Sequence, residues 1–225
     1  VSYGSDDFDG VITPDGNRVV WMSSRSGVYN LYWRNVDMSS PEEAIAPSPK
    51  NQFNAAVSPD GRYILYAQEG AVSDIWRYAV DTRKAEPLIA TEHEEGSPAV
   101  SPDGRWLAYM SDRSGRGEIY VTSFPKPGGS WQASIDGGMT PRWMPDGKSI
   151  VYRRDLSLYI VPIETEPRPR AGKPVLLAEG PFSDDFSIAR DGRIAAAKDG
   201  PQPTSAQFVA VMNWAEELKR RVPTR

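Results

Sequence analysis

With 225 residues, no cysteine and a single histidine, the chain has no disulfide framework, no multi-imidazole or thiolate zinc site and no cysteine nucleophile. Its 26 basic and 30 acidic residues leave a net charge of −4, which argues against nucleic acid as a partner. No run approaches the roughly 18 apolar residues of a membrane span, no segment resembles a signal peptide, and the length suits one large domain that hides most of its unfolded surface.

The chain opens with Val1-Ser2-Tyr3, a short potential strand, and an acidic loop to Gly10. Thr13-Pro14-Asp15-Gly16-Asn17 is then the first of five related pentapeptides. The others are Ser58-Pro59-Asp60-Gly61-Arg62, Ser101-Pro102-Asp103-Gly104-Arg105, Met144-Pro145-Asp146-Gly147-Lys148 and Ala189-Arg190-Asp191-Gly192-Arg193. Their glycines are spaced by 45, 43, 43 and 45 residues, a period that marks a repeat architecture. Proline pre-sets the first corner of a tight turn, aspartate hydrogen-bonds its own backbone and glycine takes the positive φ, so each copy is a hairpin turn.

Each turn is followed by a short apolar run: Val19-Val20-Trp21, Ile64-Leu65-Tyr66, Leu107-Ala108-Tyr109, Ile150-Val151-Tyr152 and Ala195-Ala196-Ala197. Such runs predict strands buried on both faces, with a column of core aromatics at Trp21, Tyr66, Tyr109 and Tyr152 that ends at Ala197. Third strands follow at Leu31-Tyr32-Trp33, Ile75-Trp76-Arg77-Tyr78, Glu118-Ile119-Tyr120-Val121, Leu158-Tyr159-Ile160-Val161 and Gln207 to Met212. Fourth strands are read at Pro87 to Ala90, Ser130 to Ser134 and Pro174 to Leu177, after a looser last segment in the first repeat.

Four short strands per repeat at this period describe the blade of an all-β propeller, a small antiparallel sheet packed face to face with its neighbours around a central channel. The repeats divide the chain into blades at about 5–49, 50–93, 94–136, 137–180 and 181–225 within one propeller domain. The last blade lacks a fourth strand of its own. Val1-Ser2-Tyr3 is expected to close it; the alternative is a six-bladed ring of which this chain is part. With Val1 rather than methionine at its start, the chain is expected to be a piece of something longer.

These turns, together with Ser111-Asp112-Arg113-Ser114-Gly115 before Ile119-Tyr120 and Thr140-Pro141-Arg142-Trp143 before the fourth turn, resemble the repeats of TolB-type, WD-like propellers. A narrower resemblance, through Phe124-Pro125-Lys126-Pro127-Gly128-Gly129-Ser130-Trp131 and the terminal Asn213-Trp214-Ala215-Glu216-Glu217-Leu218-Lys219, is to propeller regions at the C-terminal end of bacterial receptor-like serine/threonine protein kinases. It implies a non-catalytic sensor or protein-interaction module, monomeric and extracytoplasmic, that binds a protein or peptide and does not itself insert into a membrane. Absence of cysteine fits a cytoplasmic site equally. Arg190 stands where the pattern has proline, so the fifth turn is expected to be less preorganised. The kinase motifs themselves are missing.

Counting back five from each turn proline, or from Arg190, gives Asp9, Asn54, Ser97, Thr140 and Asp185, all polar; counting back seven adds Asp7 and Glu95, with Gln52, Gly138 and Ser183. These residues are expected in the loops entering the innermost strands, where they would ring one channel mouth with an acidic bias. They suit a protein, peptide or small polar ligand, or a cation; Asp9 and Asp185 are the candidate ligands of a calcium ion, the one cofactor the sequence offers, although no Asp-x-Asp-x-Asp-Gly loop is present. The bland reading is that they satisfy backbone groups at turns and strand ends. The competing functional reading is a propeller glycosidase with two mouth carboxylates. His93 is expected as an exposed loop residue, and no Gly-x-Ser-x-Gly elbow is available for a serine hydrolase. Of the seven tryptophans, Trp131 and Trp214 are expected to be partly exposed and the rest to pack between blades.

Overall fold

The computed structural model describes residues 6–166 and 169–198 and the backbone of strand 208–211. The expected strand at Val1–Tyr3, Trp214 and the terminal segment lie outside the described residues. Every regular element is a β-strand, and the strands form five antiparallel sheets joined in chain order. The first holds β1 (Asp7–Ile12), β2 (Arg18–Ser23), β3 (Asn30–Asn35) and β4 (Glu43–Ile45). The second holds β5 (Gln52–Val57), β6 (Tyr63–Gln68), β7 (Asp74–Ala79) and β8 (Lys84–Ile89), and the third β9 (Glu95–Val100), β10 (Trp106–Ser111), β11 (Glu118–Ser123) and β12 (Trp131–Gln132). In the fourth, β13 (Met139–Trp143) and β14 (Ser149–Arg154) precede a long β15 (Ser157–Glu164), which takes two short partners, β16 (Arg170–Ala171) and β17 (Val175–Ala178). The fifth holds β18 (Phe182–Ile188), β19 (Ile194–Lys198) and β20 (Phe208–Val211).

The pentapeptide turns connect the innermost two strands of every blade. In the third blade the Gly104 N–H donates to the Ser101 carbonyl at 2.9 Å, and the Ser101 hydroxyl donates to Asp103 Oδ1 at 2.5 Å while accepting from the Trp106 N–H at 3.0 Å. Thr13 and Ser58 repeat this with Asp15 and Asp60. Met144 cannot; its side chain is instead fully buried in the core between the fourth and fifth blades. The fifth turn forms as well, with the Gly192 N–H on the Ala189 carbonyl at 2.9 Å and Gly192 at φ 83°, because any residue reaches the φ that Arg190 needs whereas the positive φ requires glycine.

Each innermost strand packs on the preceding blade: β5 lies on β1, β2 and β3, β9 on β5, β6 and β7, and β13 on β9, β10 and β11. Four apolar clusters fill the four successive junctions, for example Val20, Trp33, Ile64, Tyr66 and Tyr78 between the first two blades. The expectation of two-faced burial holds for β6, β10 and β14, whose Tyr66, Tyr109 and Tyr152 are core residues. It fails for β2, where only Val20 and Ser23 are buried, and for β19, where buried and more exposed positions alternate. Those strands sit in the first and fifth blades, each of which has an apolar junction with one described neighbour rather than two. Trp131 is half-buried, its ring edge-on to Trp106 with centroids 5.3 Å apart.

Candidate functional site

The polar column counted back from the turns has a backbone cause. Its members lie inside the innermost strands rather than in the loops before them, which corrects the loop assignment. Asp9, Asn54, Ser97 and Thr140 have φ of 54°, 56°, 51° and 47°, the left-handed region, and in each case the ladder between the first two strands slips there by a β-bulge. Short polar side chains tolerate this conformation best, Asp and Asn above all, so polarity recurs because the bulge recurs. Proline follows the bulge residue in two blades, as Pro98 and Pro141, where the broken ladder needs no donor. The fifth blade departs from the rule: β18 slips between Phe182 and Phe186, and Asp185 keeps an ordinary φ.

Two positions earlier the column divides. Gln52 is fully buried; its Oε1 accepts the Leu31 N–H at 3.0 Å and its amide donates to the Ala46 carbonyl at 2.9 Å, so it fastens the second blade to the first. Glu95 is 1% exposed, with Oε1 taking the hydroxyls of Thr91 at 2.5 Å and Ser111 at 3.4 Å, and no described side chain or backbone donor reaches Oε2. Burial pushes its carboxyl up from the ordinary value, against the Thr91 hydrogen bonds. Asp7 is exposed and pairs with Arg25 at 3.5 Å. Glu95, Ser97 and Thr140 are therefore buried members of the column, at 1%, 8% and 7% exposure, while Asp7, Asp9 and Asp185 face solvent. Beside them Asp184 pairs with Arg153.

What the fold brings together at the mouth is Asp9 of β1, Asp185 of β18 and Arg142 of β13, three strands far apart in sequence and within electrostatic reach of one another. Partial burial and then the charge of Asp185 push the Asp9 carboxyl up, and Arg142 works against both. Burial pushes the Arg142 guanidinium down, opposed by Asp9 and Asp185. Its NH1 donates to the Pro141 carbonyl at 3.0 Å and the guanidinium lies 5.7 Å from the Phe186 ring. Arg142 escapes a count for acidic residues, yet the repeat exposes it: the same position holds Val11, Ala56, Ala99 and Ser187 in the other blades.

The rim is partly apolar. Phe8, Ile135, Met139 and Leu156 are exposed large hydrophobics, on the innermost strands or on the connections and hairpin at the same face. Among the described residues no three of Asp, Glu or His come together in a way that could hold a metal ion. His93 is on the surface as expected, with Nδ1 3.7 Å from Asp112.

A family model described as the TolB beta propeller domain matches residues 11–224. The chain belongs to that family. TolB from Acinetobacter baumannii superposes with a TM-score of 0.74 at 20% identity, covering 89% of this chain and 50% of that one. A putative TolB from Agrobacterium tumefaciens gives 0.60 at 21% identity, covering 75% of this chain and 65% of that one. This chain thus spans half the length of the first TolB and just under two thirds of the second. An oligogalacturonate lyase in complex with manganese is similar at a TM-score of 0.53 and 13% identity, over 84% of this chain and 69% of that one. At these identities the likeness to the TolB structures and to the lyase is one of fold. No match is found among curated proteins.

Proposed function

We propose that this TolB-type propeller is a non-catalytic scaffold that holds a protein or peptide at its channel mouth, as the sensor or interaction module of a larger bacterial protein outside the cytoplasm. The observation that carries the reading is the electrostatic coupling of Asp9, Asp185 and Arg142 at a face that also exposes Phe8, Ile135, Met139 and Leu156. A paired carboxylate receives an ammonium or guanidinium, Arg142 receives a carbonyl or carboxylate, and the rim receives apolar side chains, a combination that a polypeptide presents and a simple ion does not. Asn54, Ser97 and Thr140, at the bulges of the second to fourth blades, complete the polar ring between the acids. Selection of phage-displayed heptapeptides on the parent and on Asp9→Asn/Asp185→Asn tests the reading. Enrichment of cationic, apolar sequences by the parent and its loss in the double variant support it; equal enrichment by both overturns it.

A second reading rests on the Asp9 carboxyl, pushed up by partial burial and by the charge of Asp185, since glycoside cleavage uses two carboxyls in unlike environments. Turnover of a chromogenic glycoside panel that vanishes in Asp9→Asn would establish it in place of the first. In both assays millimolar calcium serves as a control: a rise in melting temperature that is lost in Asp9→Asn/Asp185→Asn would assign those acids to a metal.

A further inference from the structure

One cavity lined by described residues lies away from the mouth. It is a groove of about 960 Å³ at the opposite face, between the first and second blades, where the turns at Pro14 and Pro59 stand side by side. Its floor is apolar, formed by Trp33, Val57, Ile64 and Val80, and its rim carries Asp15, Asp37 and Asp60. All three acids are held ionised. Hydrogen bonds from Thr13 and the Asn17 N–H keep Asp15 below the ordinary value, and those from Ser39 do the same for Asp37. For Asp60 partial burial acts upward and is outweighed by Ser58 and the Arg62 N–H.

One cation lines the groove, Arg18, whose guanidinium lies over the Trp33 ring at 4.2 Å rather than on a rim carboxylate. Three carboxylates against Arg18 in the lining and Arg62 beside Asp60 leave the groove anionic, and its aromatic wall already accepts a guanidinium face. The apolar surface continues past the outer end, with Val36 46% exposed and Met38 71% exposed. A volume at the upper end of ligand sites, open to an apolar ledge, suits a chain segment better than an enclosed metabolite.

We infer that this groove is a second binding site, for an extended polypeptide segment that carries an arginine or lysine beside a branched apolar residue. The apolar side chain lies on Val36, Val57 and Val80, the more exposed apolar residues of the lining, and the cation reaches the carboxylates of Asp37 and Asp60. The site is independent of the mouth, so a propeller with both would bridge two partners or two segments of one.

Calorimetric titration with a blocked pentapeptide, arginine between two leucines, tests the inference, with the citrulline counterpart as the neutral control. The titration uses the Asp9→Asn/Asp185→Asn background, so that the mouth does not contribute. Binding of the arginine peptide, weaker by about 3- to 10-fold for citrulline and by a similar factor when Asp37→Asn and Asp60→Asn are added, supports the site. Asparagine retains the oxygen that each turn needs, and an unchanged melting temperature verifies that the fold is intact. No heat up to millimolar peptide, equal affinity for both peptides, or indifference to the groove substitutions overturns it. None of these outcomes bears on the mouth.

Discussion

The Trp143 indole N–H donates to the backbone carbonyl of Ala99 at 3.0 Å, joining the innermost strands of the third and fourth blades across their buried junction. Ala99 lies two residues past the bulge residue Ser97, and Trp143 closes β13 just after Thr140 and Arg142, so this bond ties together the strands that carry two levels of the mouth. Trp143→Phe keeps a six-membered aromatic ring and deletes the donor together with the five-membered ring that carries it. It should cost about 1–3 kcal/mol, the penalty for an orphaned buried carbonyl, and lower the melting temperature by several degrees. An unchanged midpoint in differential scanning calorimetry would mean the bond contributes nothing.

Glu95 occupies in the third blade the place that Gln52 fills in the second, but as an acid it brings a charge to a buried site. A carboxyl raised by burial favours folding most when protonated, so its contribution is greatest below its unfolded pKa and is lost as pH rises through the folded value. Glu95→Gln should therefore stabilise the protein by about 1–3 kcal/mol at pH 8, and the gain should shrink toward pH 4. Guanidinium melts of both proteins at the two pH values decide it.

The coupling of Asp9 to Asp185 and Arg142 is open to carbon-detected NMR titration of the Asp9 carboxyl. Asp185→Asn removes a like charge and should bring the Asp9 midpoint down toward the ordinary value; Arg142→Met removes the opposing cation and should raise it further. Because the raised Asp9 favours the folded state when protonated, Asp185→Asn should also flatten the decline in stability as pH rises through the Asp9 midpoint. Movement of the midpoint in the same direction in both variants would refute this arrangement of charges.

Thr140 combines a β-branched side chain with φ of 47° and a buried hydroxyl that has no partner among the described residues. Asparagine, present at the equivalent Asn54, is at ease in this conformation. Thr140→Asn should stabilise the protein by about 0.5–1 kcal/mol, and thermal denaturation measures it. Destabilisation would mean that the threonine methyl packs better than its backbone strain costs.

Ser101→Ala removes the hydroxyl that both caps Asp103 and receives the Trp106 N–H. The expected loss is about 1–2 kcal/mol, whereas Ala189→Ser should gain part of that in the fifth turn. Urea midpoints of the two variants should move in opposite directions.

The turns were legible because their chemistry is local. Proline, aspartate and glycine at fixed offsets act within five residues, and the core strands beginning two or three residues later follow from the apolar runs. Legibility weakened where the cause was not local. The segment around Asp7 to Gly10 reads as an acidic loop, yet it is the first part of strand β1, since a bulged strand exposed almost throughout has only Val11-Ile12 at its far end to announce it. In the fourth blade the strands read at Leu158-Tyr159-Ile160-Val161 and at Pro174 to Leu177 are present as β15 and β17, but the extension of β15 to Glu164 and its second partner β16 are not legible, because prolines and charges between Glu164 and Val175 obscure that pairing.

Sequence alone determined the repeat, the all-β blades, the family resemblance and the polar column at Asp9, Asn54, Ser97 and Thr140. Only the tertiary structure showed that the column has a backbone cause, because a left-handed bulge favours short polar residues whatever the ligand. It also decided the electrostatic coupling of Asp9 and Asp185 to Arg142, which depends on distances in space between β1, β13 and β18 and leaves no period in the chain.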